Sequence, residues 1–283
     1  MSFIKKIHYC WFGSKEPESV RKTVAHWREL NPDFEIIKWD ENNTDVSAYE
    51  FGRRALRDRK WAYVADVVRL QKMIEQGGFY VDADVEMTSP LNRLEAYGDK
   101  LVMGYMLDCA LGTAILYSPP DHPYLKDILA KYDHIRRNFY PRNNSIFTEY
   151  FINEVPGFLL DGKPFENGEC KIFQKEFFEQ PTFIKSRGIS IHHACGSWDK
   201  EEASPFAFGT GATALQHAIK WAKRQYRAHR MLHSNEFYDC YAAAGGAPAR
   251  HPRGQVLPQG RGVKQHIPAC LDMTIRACRK TSG

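Results

Sequence analysis

No stretch constrains this chain more than Gly77-Gly78-Phe79-Tyr80-Val81-Asp82-Ala83-Asp84-Val85. Two adjacent glycines stop whatever precedes them, an apolar run follows, and two carboxylates stand two residues apart. Side chains on an extended strand alternate faces, so the pattern predicts Asp82 and Asp84 on one side and Val81, Ala83 and Val85 on the other, toward a core. Upstream, Ala62, Ala65, Val68, Leu70 and Met73 recur at helical spacing within residues 60–76, and Gly77 is placed to end that helix in a left-handed cap. Asp66 and Arg69, three apart, share one face of it. A helix that ends in Gly-Gly and runs straight into the strand brings this Asp/Arg face near the two acids.

The chemistry follows from the residue types. An Asp-x-Asp by itself is a common solvated strand end, and an isolated Asp66–Arg69 pair on a surface would contribute under about 1 kcal/mol. A carboxylate pair with no thiol or histidine beside it in the sequence favours a hard cation, Mn²⁺ or Mg²⁺, which keeps open positions for substrate phosphates. A second constellation lies late in the chain, where residues 188–193 read as a strand leading into His192-His193-Ala194-Cys195-Gly196-Ser197-Trp198. A neutral imidazole from His192 or His193, with the Ser197 hydroxyl nearby, could complete a shell begun by Asp84 and Asp82. The rival reading of either histidine is a satisfied structural residue.

Together these residues resemble glycosyltransferase family 32. The run Ala65-Asp66-Val67-Val68-Arg69 followed by Gly77-Gly78-Phe79-Tyr80-Val81-Asp82-Ala83-Asp84 is similar to its A-x-D-x-x-R…G-G-x-Y-x-D-x-D signature. Ile7-His8-Tyr9-Cys10-Trp11-Phe12-Gly13 resembles the family's first strand and turn, and the 192–198 segment its closing H-H-x-x-G-S-W. The family includes capsule and lipopolysaccharide transferases, with the clostridial glucosylating toxins more distantly related. The resemblance covers about residues 4–200. It implies a GT-A-like fold, a DXD motif, and a retaining hexosyltransferase that takes its sugar from a nucleotide diphosphate, a UDP-sugar above all. It further implies that Trp11, Phe12, Tyr80, Asp66, Arg69, Asp82, Ser197 and Trp198 bind the donor. Asp82, Asp84, Asp66 and Arg69 would carry catalysis. The toxins place an acid with a serine where this chain offers histidines, so the atom that completes the shell stays open between His192, His193 and Ser197.

The rest of the chain fits an α/β architecture. Residues 4–12 read as a buried strand, 18–30 as an amphipathic helix closed by Asn31-Pro32, and 34–39 as a second strand. This is the start of a Rossmann-like mixed sheet flanked by helices. No G-x-G-x-x-G and no Walker lysine is present, which argues against a dinucleotide or ATP site. Residues 101–106 and 111–117 read as strands, with Gly112-Thr113 either a point where backbone could approach a ligand closely or a plain bulge. His122 reads as a loop histidine. Residues 124–132 and a segment from Ser145 read as helices, and Arg136, Arg137 and Arg142 as a solvated face or an acceptor contact. Residues 214–231 form a basic amphipathic helix with Leu215, Ala218, Ile219, Ala222 and Tyr226 on one face, either packed on the main domain or lying on an anionic membrane.

The expected organisation is a catalytic domain over 1–210, a helical C-terminal appendage over 211–244, and a basic, Gly/Pro/Arg-rich tail of low order over 245–283. The tail carries seven basic residues against one acid, more than the whole net charge of +5, which leaves the body near neutral and argues against nucleic-acid binding by the main domain. Seven irregularly spaced cysteines suggest reduced thiols and no structural zinc site. The start of the chain does not read as a signal peptide and no apolar run is long enough for a membrane span, so the expected setting is the cytoplasm, with peripheral contact at the inner face of the cell membrane left open. The expected acceptor is a saccharide or lipid-linked saccharide in surface polysaccharide synthesis. The alternatives are an effector that glycosylates a host protein, a non-catalytic nucleotide-sugar-binding module, and a divalent-metal phosphohydrolase.

Overall fold

A computed structural model describes residues 3–137, 139–180, 188–193 and 214–246. The expected positions Ser197 and Trp198, and the 245–283 tail beyond Gly246, lie outside these residues. β1 (Lys6–Cys10), α1 (Glu18–Leu30) and β2 (Glu35–Trp39) form the opening strand–helix–strand unit, and β1 pairs in parallel with β2. After α2 (Glu50–Arg57) and α3 (Trp61–Gln76), β3 (Gly78–Val81) returns beside β1, again in parallel. β4 (Val85–Met87) then leaves the sheet. β5 (Leu101–Leu107) and β6 (Ala110–Ser118) form a hairpin, followed by α4 (Pro123–Asp133) and α5 (Asn143–Glu154). β7 (Phe165–Glu166), β8 (Cys170–Phe173) and the short α6 (Lys175–Phe178) come next, then β9 (Ser190–His192), α7 (Ala214–Ser234) and α8 (Tyr238–Ala243).

Seven strands form one mixed sheet in the order β2-β1-β3-β6-β5-β8-β7, and β4 pairs with β9 in a separate antiparallel ribbon. The sheet is the expected mixed α/β layer with helices on both faces. Strand alternation sorts its core. Ile7, Tyr9, Trp11, Phe79 and Val81 pack against Val20, Val24 and Trp27 of α1, while Cys10, Phe12 and Tyr80 pack with α3 on the opposite face. Both clusters are buried on folding, and apolar burial is the main force holding such layers together. α2 and β7, short and without a clear period, were not legible in the sequence.

Gly77 ends α3, and its N–H returns to the Met73 carbonyl at 2.9 Å. Its φ of 64° and ψ of −171° lie outside the expected left-handed helical cap, in an extended mirror region open essentially only to glycine. A Cβ there would stand 2.6 Å from Ile4 Cδ1 and 2.8 Å from the Pro120 nitrogen. The chain therefore passes from helix to strand in a single residue, with no side chain to accommodate. His8 secures this crossing. Trp39 Nε1 donates to His8 Nδ1 at 3.1 Å, so the imidazole proton is on Nε2, which donates to the Gly77 carbonyl at 2.8 Å. His122 caps α4, its Nδ1 accepting from the Tyr124 N–H at 3.2 Å, which is a structural task.

The C-terminal helices depart from expectation in their packing. Ala228 and Leu232 of α7 lie against the α3-side core, whereas Ile219 and Tyr226, expected on its packing face, are 46% and 65% exposed. Tyr238, Tyr241 and Ala242 of α8 are buried in that same core. Cys10, Cys109 and Cys170 are buried free thiols as expected, but Cys240 is disulfide-bonded. Among the described residues no helix is long and apolar enough to cross a membrane.

Candidate active site

The two acids do not lie on a strand. β3 ends at Val81, and Asp82 to Asp84 form a turn closed by the Val85 N–H on the Asp82 carbonyl at 3.0 Å. The expected strand alternation is thus replaced by turn geometry, which brings both carboxylates toward β9. Asp82 still holds the sheet edge through its N–H on the Ala114 carbonyl at 2.7 Å.

Asp66 and Arg69 project from α3 beneath that turn. They are 7% and 5% exposed, so the surface ion pair that i,i+3 spacing allows is in fact a buried one. The Arg69 guanidinium lies 3.4 Å from Asp66 Oδ1 and 3.0 Å from Asp82 Oδ1, over the Tyr80 ring at 4.1 Å, and donates to the Thr113 carbonyl. The Tyr80 hydroxyl donates to Asp82 Oδ1 at 2.9 Å. Cation, phenol and carboxylate form one connected network, which low local dielectric strengthens so long as each member is satisfied. Burial pushes the Asp82 carboxyl above its usual range, and Arg69 opposes it.

Burial raises the Asp66 carboxyl to about 7, with Arg69 pulling it down and Asp82 pushing it up. Desolvation outweighs the 3.4 Å cation because the guanidinium is shared with a second carboxylate. The folded state then keeps a proton on Asp66 that the unfolded chain releases near 3.8. The stability this group contributes is complete below that unfolded value and is lost as the pH rises through about 7. In urea unfolding from pH 4 to 8, wild type is expected to lose stability relative to Asp66→Asn, whose amide never ionises. Parallel pH curves for the two proteins would contradict the assignment.

His192, at the end of β9, completes the group. Its Nε2 lies 3.4 Å from Asp84 Oδ1 and its Nδ1 lies 2.6 Å from Glu179 Oε2. Burial opposes a charge on this ring, but the Glu179 and Asp84 carboxylates outweigh it and hold its pKa well above the usual histidine range. One ligand atom each from Asp82, Asp84 and His192 lies within 4.8 Å of the others. Two carboxylates and one imidazole suit Mn²⁺ or Mg²⁺, and three ligands leave coordination positions for oxygen atoms of a substrate. The donor set fits a divalent ion.

Other expected site residues are placed differently. His193 turns away to the opposite side of the ribbon, its Nε2 at 2.9 Å from Glu86 Oε2, so it does not join the cluster. Of the three residues the sequence left open, His192 stands beside the acids, His193 does not, and Ser197 lies outside the described residues. Trp11 is 6% exposed within the α1-side core, and its Nε1 donates to the Ser14 carbonyl at 3.1 Å. Phe12 is 3% exposed and shares the α3-side core with Tyr80. Neither ring offers an open stacking platform in this arrangement. Sequence reasoning missed Glu179 and Asn143. Asn143 accepts from the Tyr132 hydroxyl at 2.9 Å, and its side chain helps to lower the Asp66 carboxyl against burial. Neither residue stands in a motif, and both are buried polar groups, a signal that only three-dimensional burial provides.

The chain is similar to several known proteins. The chain is 25% identical to Subversion of eukaryotic traffic protein A of Legionella pneumophila, over 30% of this chain and 18% of that protein. The chain thus matches under a fifth of that curated relative's length. It is similar in outline to the solved PaToxG Glycosyltransferase, with a TM-score of 0.48, 16% identity, and coverage of 55% of this chain and 70% of that one. A glycosyltransferase involved in the glycosylation of the major capsid of PBCV-1 gives a TM-score of 0.42 at 12% identity, over 67% of this chain and 93% of that one. Residues 17–101, which hold Asp66, Arg69, Asp82 and Asp84, match the glycosyltransferase sugar-binding region containing the DXD motif.

Proposed function

We propose that this chain is a retaining, metal-dependent glycosyltransferase that moves a sugar from a nucleotide-diphosphate donor, a UDP-sugar first among them, to a saccharide acceptor in capsule or lipopolysaccharide synthesis. One observation carries the reading: the two acids of the DXD motif, in the turn between β3 and β4, converge with His192 of β9 beside the buried Asp66–Arg69 pair. Asp82, Asp84 and His192 would hold Mn²⁺ or Mg²⁺, which when bound neutralises the charge that grows on the departing diphosphate. The chain's own residues prepare that site. Arg69 and Tyr80 both bond Asp82 through Oδ1, which orients the carboxylate and leaves Oδ2 for the ion or a ribose hydroxyl. No side chain is assigned as a nucleophile. Attack and departure on one face of the sugar, with the donor phosphate taking the acceptor proton, is the course the family resemblance supports.

The effector reading, with a host protein as acceptor, has the Legionella similarity in its favour and shares the same donor half. Residence in the cytoplasm with peripheral contact at an anionic membrane is supported by α7, which exposes Ile219 and Tyr226 beside exposed Lys223, Arg227 and Arg230. The testing experiment incubates the purified chain with a panel of UDP- and GDP-sugars in Mn²⁺, in Mg²⁺ and with chelator. Release of free sugar and nucleoside diphosphate from one donor, abolished by chelator, is expected. If no donor on the panel is turned over under any condition, the transferase reading is lost.

A further inference from the structure

Glu179 is a buried acid next to the site to which the reading above gives no task. It follows α6 as its C-terminal cap and is 3% exposed, a depth at which a carboxylate persists only with a partner. Its Oε2 lies 2.6 Å from His192 Nδ1, and its backbone carbonyl accepts the His192 N–H at 3.2 Å. One residue thus grips the histidine by both side chain and main chain.

The sheet is shaped to admit it. Gly112 of β6 faces the carboxylate so closely that an added Cβ would overlap Glu179 Oε1 and stand 3.0 Å from its Cδ. The sequence expected a ligand or a bulge at Gly112-Thr113; what approaches Gly112 is Glu179, and what approaches the Thr113 carbonyl is Arg69. Any side chain at position 112 would displace the acid from the imidazole.

A neutral imidazole has one N–H and one lone pair, and an acceptor at one nitrogen decides which is which. Bound to a cation in place of its second proton, the ring would keep its Nδ1 proton on Glu179, and the lone pair would fall on Nε2, the nitrogen 3.4 Å from Asp84 Oδ1. Carboxylate–histidine–metal arrangements owe their ring orientation and ligand basicity to such a partner. We infer that Glu179 is a positioning residue, which holds His192 with Nε2 presented to a divalent ion beside Asp82 and Asp84, and that Gly112 is glycine to seat it. The inference rests on the metal-site reading proposed above.

The test titrates Mn²⁺ alone into the full chain, without donor, and follows free Mn²⁺ by electron paramagnetic resonance, with thermal melting of every variant. Glu179→Leu fills the volume with no acceptor and is expected to bind Mn²⁺ about 10- to 100-fold more weakly than wild type. Glu179→Gln keeps an acceptor oxygen without the charge and should recover part of the loss. Gly112→Ala keeps Glu179 in the sequence but takes its seat, and should also weaken binding. Absence of saturable Mn²⁺ binding by wild type would overturn the metal-site reading and this inference together. Tight binding by wild type with affinity within twofold for a cooperatively melting Glu179→Leu would overturn this inference alone. If that variant does not melt cooperatively, Gly112→Ala decides by the same twofold criterion.

Discussion

Asp84→Asn is expected to reduce Mn²⁺-dependent donor turnover by about 10²- to 10³-fold, the range found when one preorganised group facing developing charge is removed. The side chain is 17% exposed at a turn and contributes no apolar packing, so the melting temperature should stay within a few degrees of wild type. His192 keeps its bond to Glu179 in the variant, which limits the damage to the ligand lost. Measuring sugar release alongside thermal unfolding separates the two effects. Wild-type turnover from a folded Asp84→Asn protein in Mn²⁺ would remove Asp84 from the site.

Arg69→Met should have the largest effect on stability. The guanidinium serves Asp66, Asp82, Tyr80 and the Thr113 carbonyl at once, and is 5% exposed. Methionine fills similar space but leaves two acids at one buried site without their cation. Removing one partner of a buried ion pair costs about 3–5 kcal/mol, because the remaining charge is left uncompensated. Arg69→Lys should recover little, since a single ammonium cannot reach four acceptors arranged around a planar fork. Adding Asp82→Asn to Arg69→Met should restore part of the loss by removing the carboxylate that the cation held at 3.0 Å. The check is the urea midpoint of each protein, and an Arg69→Met variant within about 1 kcal/mol of wild type would show that the network does not hold this layer together.

The limits of sequence reading show in particular residues. Helices over 18–30 and 61–76 and the strands around them follow from apolar period and from Asn31-Pro32 and Gly77-Gly78, all local signals. The Asp66–Arg69 face and its approach to the acids were readable because helix, glycines and acids are contiguous. Asp82 and Asp84 were placed on a strand, and the structure puts them in a turn, because period-2 alternation cannot tell the last residue of a strand from the first of a tight turn. The choice between His192 and His193 was open because adjacent residues on an extended segment point to opposite sides, and only the pairing of β4 with β9 decides which side faces Asp84. For α7 the amphipathic period was correct in kind, yet the face in contact is the one bearing Ala228 and Leu232.

By itself the sequence determined the layered α/β architecture, the DXD acids and the Asp66/Arg69 face near them, because each is encoded within a few neighbouring residues whose spacing controls their direction. Tertiary structure alone decided that His192 joins the acids, that Glu179 backs it, and that Gly112 makes room for Glu179. Those contacts unite β3, β6, α6 and β9 across a separation of up to about a hundred residues. Such long-range pairings depend on how sheets close and which groups become desolvated together, and no local pattern carries that information.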